Sequence, residues 1–155
     1  MKLTELLDPE LIICNLEAHS TEEALKFLSY KLYEKGLVKA SFEQAVLKRE
    51  REMPTGLPIG DINAAIPHAD IEHVIKPSIA IATLAKPLPF HVMIDPDSIV
   101  DVKIIFLLAL NEPHAQIQML QTVATILQDS SLLQKLEKAK SSKEIIEILS
   151  QVKEI

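Results

Sequence analysis

Apolar positions recur along single helical faces in four stretches of this chain. Ser20-Thr21-Glu22-Glu23 has the Ser-x-x-Glu form of a capping box, and Ala24, Leu25, Leu28 and Leu32 follow on one face. Gly36 suits the left-handed turn that stops such a helix. Ser41-Phe42-Glu43-Gln44 offers a second box, closed by Gln, and predicts a helix reaching about Glu52. Pro113 suits a first helical turn, where its missing N–H costs nothing, and Ile117, Leu120, Ala124 and Leu127 then share a face. Ser141-Ser142-Lys143-Glu144 caps a last helix with the stripe Ile145, Ile148, Leu149 and Val152, and a short helix is expected over 132–139 before it.

Between the helices the pattern changes to strands. Residues 11–15 and 78–85 are rich in β-branched and apolar side chains, and 64–67 offers a short strand. The stretch 100–110 says most. Val100, Val102 and Ile104 alternate with polar neighbours, whereas 105–110 is apolar on both faces. Such a strand starts near solvent and ends covered on both sides. The expected fold is an α/β sandwich, a small mixed sheet with helices on both faces. No repeat, low-complexity tract or linker divides the chain, so 1–155 reads as a single domain.

Composition narrows the function. At 48% hydrophobic and 25% charged residues the chain matches ordinary globular proteins, which argues against disorder. The longest apolar run, 104–110, falls far short of the ~20 residues that span a bilayer. The start has no basic and apolar signal segment, and one cysteine, Cys14, allows no internal disulfide. A cytoplasmic protein is expected, with Cys14 buried and inert in its apolar run. A net charge of −6 argues against a nucleic-acid partner, which would need a concentrated basic surface. With no Trp, two Tyr and four Phe, a stacking platform for sugar rings or bases is not expected.

Two places could carry chemistry. Residues 54–70 hold three prolines and two of the three glycines, a loop composition ending on Ile66-Pro67-His68. Pro67 fixes its own φ and pushes Ile66 toward extended geometry, so His68 is presented by stiff backbone with little entropy left to lose. An ordinary loop histidine would look the same. The second place is Asn111-Glu112-Pro113-His114, which sets His114 in a first helical turn, where free N–H groups favour anions and a neutral imidazole. A surface histidine tolerated at a helix start fits there as well. Together, one neutral imidazole as nucleophile and a second as hydrogen-bond donor could form a phosphoryl-transfer site that needs no metal or cofactor.

Other chemistries have less support. His68 and His73 flank acidic residues, but a spacing of five suits neither one face of a strand nor one face of a helix, so no metal site is expected. Phosphate-binding glycine loops and nucleophile elbows are missing from the sequence. The run Lys48-Arg49-Glu50-Arg51-Glu52 reads as a solvated helix end with neighbouring ion pairs, and nothing local favours Arg49 over Arg51.

An ordered set of motifs goes further: Arg49-Glu50, Thr55-Gly56, Ala65-Ile66-Pro67-His68, then Phe106-Leu107-Leu108-Ala109-Leu110 leading to His114 and Gln118-Met119-Leu120. This set resembles the enzyme IIA family of the fructose–mannitol type (type 2) in the bacterial sugar phosphotransferase system, over almost the whole chain. The resemblance implies a small mixed sheet flanked by helices and a phosphotransferase activity. It makes His68 the phosphorylated histidine, using Nε2, with His114 as the second active-site histidine and Arg49 as the neutralising arginine. Thr55 becomes a motif position close to the site. The implied donor is HPr, the implied acceptor a cysteine of a IIB component, and the membrane is met only through IIC. Pro54-Thr55-Gly56-Leu57 and the residues after His68 look closest to galactitol-type members, while the loop from Thr55 to His68 is longer than the fructose-type form. Galactitol or a related polyol is the suggested sugar. The alternative is a regulatory relative that binds a kinase or transcription factor according to its phosphorylation state. Leu57, Ile59 and Ile62 are candidates for an apolar docking patch for HPr.

Overall fold

The computed structural model describes residues 1–152. Five strands form one mixed sheet: β1 (Ile12–Leu16), β2 (Gly56–Leu57), β3 (Asn63–Ala65), β4 (Ser78–Val92) and β5 (Asp95–Ala109). Six helices surround it: α1 (Leu3–Leu6), α2 (Thr21–Glu34), α3 (Phe42–Glu52), α4 (Pro113–Leu127), α5 (Ser130–Lys138) and α6 (Ser142–Ser150). The expected sandwich is the one observed. Leu107 and Ala109 of β5 join Leu25, Leu28 and Phe42 in one core, while Phe106 and Leu108 join Met119, Val123 and Leu133 in the other. This is why the end of β5 is apolar at every position. Its alternate side chains serve two different cores.

Helix ends follow the expected chemistry in most places. The Ser20 hydroxyl accepts from the Glu23 amide at 3.0 Å, and the Ser141 hydroxyl from the Glu144 amide at 3.1 Å. Gly36, at φ +74°, ends α2: its amide donates to the Tyr33 carbonyl and that of Leu37 to the Leu32 carbonyl. That pair of bonds is a Schellman motif. The box at Ser41 does not form. Ser41 has helical dihedrals and makes no side-chain cap, and its hydroxyl instead meets His73 Nδ1 at 2.8 Å. The bond ties the segment after His68 to the start of α3.

The strands run longer than the pattern implied. β4 continues past residue 85 through Pro87 and Pro89 to Val92. Its second half has lost β1, whose pairing ends at Leu84, and the register with β5 slips between Thr83 and Leu88. An edge with a bulge tolerates proline. β5 likewise starts at Asp95, in a polar stretch that forms the hairpin with β4. β2 was not foreseen at all. It pairs antiparallel with β3 and parallel with Val92, and β3 in turn pairs with β5, so β4, β5, β3 and β2 form a closed circuit. Gly56 makes the closure possible. A Cβ there would lie 2.6 Å from the His91 carbonyl oxygen and 3.0 Å from the Phe90 Cβ.

Candidate functional site

The site begins where β3 runs out. Beyond Ala65 the chain stays alongside β5, with the Leu108 amide donating to the Pro67 carbonyl at 3.0 Å and His68 bridged in parallel to Leu108. This register leaves His68 buried, at 7% relative exposure. Its Nδ1 lies 3.0 Å from the Ile66 carbonyl oxygen. A carbonyl only accepts, so Nδ1 carries the proton and Nε2 keeps its lone pair. Burial holds the imidazole pKa below the ordinary histidine value against the Ile66 bond, which raises it, and the Arg49 charge adds to the lowering. His68 is therefore a neutral imidazole whose unprotonated nitrogen is Nε2.

Arg49, in the last turn of α3, reaches this region: its Nη1 donates to Asp70 Oδ1 at 3.1 Å, two residues beyond His68. The Arg49 Nε is buried and has no hydrogen-bond partner among the described residues. The guanidinium thus has one edge held and a donor to spare. The run 48–52 is accordingly more than a solvated helix end. Arg49 is turned to Asp70, and Glu50 is turned inward.

Glu50 accepts from both the Thr55 amide and the Thr55 hydroxyl, each at 2.8 Å. Desolvation pushes its carboxyl up to about 7, against the lowering effect of those two bonds and of His91. Thr55 is 2% exposed, so its hydroxyl faces Glu50 and not a ligand. Its carbonyl accepts from the Ile66 amide at 3.3 Å.

His114 is the second residue of α4, as expected, and is exposed. The N-cap is Glu112, whose carboxylate accepts from the His114 amide at 3.1 Å and the Ala115 amide at 2.8 Å. The Ala115 bond first, then the His114 bond, hold the Glu112 carboxyl below its usual range. Among the described residues no hydrogen bond joins the His114 imidazole to His68. The link is topological: β5 supplies Leu108 as the partner of His68 and then leads, through Asn111 and Glu112, into the helix that carries His114. Also on α4, the Gln116 Oε1 is buried with no hydrogen-bond partner among the described residues.

Glu50 and Asp70 are the site residues that sequence reasoning did not assign. Alternating charges in a helical run look the same whether they face water or a loop folded back over the helix end. His73 takes part in the Ser41 bond, which gives it a structural contact. Among the described residues no cluster of His, Cys, Asp or Glu is arranged to hold a metal, and no helix is long and apolar enough to cross a membrane. Ile62 is 9% exposed and belongs to the second core, while Leu57 and Ile59 are half-buried against that core and line a surface cavity of about 400 Å³ with Met93 and Ile94. Cys14 is only half-buried, and burial raises its thiol pKa.

Known proteins share this fold. A mannosylglycerate-specific EIIABC component of Escherichia coli is 28% identical over 96% of this chain, which spans only 22% of that protein's length. The galactitol-specific EIIA component of Escherichia coli is 27% identical over 74% of the chain and 75% of its own length. The solved complex of enzyme IIAMTL with phosphorylated enzyme IIBMTL from Escherichia coli matches with a TM-score of 0.76 at 26% identity, covering 94% of this chain and 98% of that one. Residues 5–152 match the family described as the phosphoenolpyruvate-dependent sugar phosphotransferase system, EIIA 2, and the chain belongs to that family of phosphotransferase components.

Proposed function

We propose that the chain is a phosphocarrier that takes a phosphoryl group on His68 Nε2 and passes it on. The observation that carries this reading is the Nδ1 bond to the Ile66 carbonyl, which leaves Nε2 as the nitrogen with a lone pair. In the forward step that lone pair attacks phosphorus on the phosphohistidine of HPr. The donor's N–P bond breaks, and its electron pair stays on the donor imidazole. No proton has to leave Nε2, because the proton of the neutral ring is on Nδ1. Arg49, with its charge beside His68 and its Nε unpaired, offsets the negative charge on the transferred group. His114 supplies a donor from the first turn of α4. Thr55 acts from behind the loop through its backbone. In the second step the phosphoryl group goes to a cysteine of a cognate IIB component, a reading supported by the IIA–IIB complex that the chain resembles.

In this scheme the sugar is handled by IIB and IIC. Galactitol or a related polyol is the proposed substrate of the whole system, on the motif likeness and the galactitol relative, and the proposed place of action is the cytoplasm. Incubation with phosphoenolpyruvate, enzyme I and HPr, followed by intact-mass measurement, tests the reading. One acid-labile phosphoryl group is expected on the wild type and none on His68→Ala. Acceptance by His68→Ala would overturn the residue assignment. A wild type that gains nothing, beside a control IIA that does, would overturn the carrier role.

A further inference from the structure

His68 is oriented by a carbonyl that belongs to its own loop, and a loop carbonyl is only as well placed as the backbone behind it. Four hydrogen bonds, forming three links in series, hold that backbone. The Ile66 carbonyl accepts from His68 Nδ1, the Ile66 amide donates to the Thr55 carbonyl, and the Thr55 amide and hydroxyl both donate to the Glu50 carboxyl group. The series starts on α3, a regular helix, and ends on the nucleophilic ring. Glu50 is largely buried, and the phosphoryl-transfer steps themselves make no use of it.

We propose that Glu50 is a positioning residue for phosphoryl acceptance: by holding both donors of Thr55 it sets the Ile66 carbonyl that keeps His68 in the Nδ1–H form with Nε2 unprotonated. This inference rests on the phosphocarrier reading of His68. The carboxyl group can do the work in either protonation state. When ionised, its two oxygens accept from the amide and the hydroxyl. When protonated, one oxygen accepts from the amide while the O–H donates to the Thr55 hydroxyl oxygen. A value near 7 therefore leaves the clamp intact through neutrality. The charged and titratable groups that share with Glu50 a surface cavity of about 410 Å³ are Arg51 on its own helix, His91 on β4, and His19 and Glu22 near the start of α2. Gln can reproduce the protonated pattern, with its amide nitrogen donating to the hydroxyl. Ala and Asp cannot, the first having no polar group and the second being one methylene too short to hold both donors.

The test is ¹⁵N NMR of the histidine ring nitrogens, together with the rate of phosphoryl acceptance from phospho-HPr, on wild type, Glu50→Ala, Glu50→Asp and Glu50→Gln. Wild type is expected to show Nε2 unprotonated and Nδ1 protonated for His68 at pH 7.5. In Glu50→Ala that pattern should give way to a mixture of tautomers, with acceptance slowed about tenfold, the rate equivalent of roughly one hydrogen bond. Glu50→Asp should fall between, and Glu50→Gln should restore both readouts to within about twofold, which separates positioning from charge. Should Glu50→Ala fail to fold, the Asp and Gln pair carries the comparison. Variants that keep the wild-type tautomer and rate would overturn the role of Glu50 and leave the carrier reading standing. A wild type that accepts no phosphoryl group would sink the carrier reading instead, while the tautomer spectra would still report whether Glu50 governs the His68 ring.

Discussion

At the scale of single residues, two buried titratable groups respond to pH in opposite directions. His68 has a lowered pKa, so the folded state resists its protonation. Its contribution to stability is present above the unfolded value near 6.5 and is lost as pH falls through the lowered folded value. Phosphoryl acceptance should therefore stay level from pH 8 down to 6.5 and decline only below, and NMR titration of the His68 ring should place its midpoint under 6.5. Glu50 has the opposite sign. Its carboxyl is raised from 4.5 to about 7, so stability is full below 4.5 and is lost as pH rises through 7. Glu50→Gln should gain on the wild type by up to about 3 kcal/mol between pH 4.5 and 8 in urea unfolding. A gap between the two that does not change with pH would mean that Glu50 titrates normally.

At the scale of elements, small features set the site. Glu112 caps the amides of His114 and Ala115 at the start of α4, and it holds the turn that carries His114. Glu112→Ala should lower the midpoint of thermal unfolding and slow phosphoryl transfer, and Glu112→Asp should recover most of the loss. Gly56 is constrained more tightly. Gly56→Ala puts a methyl group against backbone, so a loss of about 1–3 kcal/mol is expected, with acceptance reduced because Thr55 is the next residue. Much of this was legible beforehand. The boxes at Ser20 and Ser141, the proline-started α4 and the doubly buried end of β5 all follow from local pattern. What escaped was whatever depended on remote partners. Ser41 prefers His73 to its own helix, β2 exists only because Val92 and Ala65 lie beside it, and β4 passes two prolines because its neighbour has already ended. In the same way His68 and His114 stood out by residue type and place and Arg49 only through the family resemblance, whereas Glu50 looked like one more charge in a charged run.

At the scale of the whole molecule, two cores share one sheet, and β5 is the wall between them. Phe106 is fully buried in the core beneath α4 and lies two residues before Leu108, the strand partner of His68. Phe106→Ala should cost about 3–5 kcal/mol, a large part of the 5–15 kcal/mol that folded domains have, and equilibrium denaturation would measure it. The loss should reach the site as well, since the strand that registers His68 also leads into the helix that carries His114. The closed circuit of β4, β5, β3 and β2 has a further consequence. At the far end of the hairpin Ile94 is 86% exposed, yet the amide just before it, that of Met93, donates to the Gly56 carbonyl at 2.9 Å. An amide at an ordinary hairpin tip trades its proton with solvent almost freely. This one can do so only when the circuit parts, next to Thr55, so its deuterium uptake is a clock for how often the backbone behind His68 comes undone.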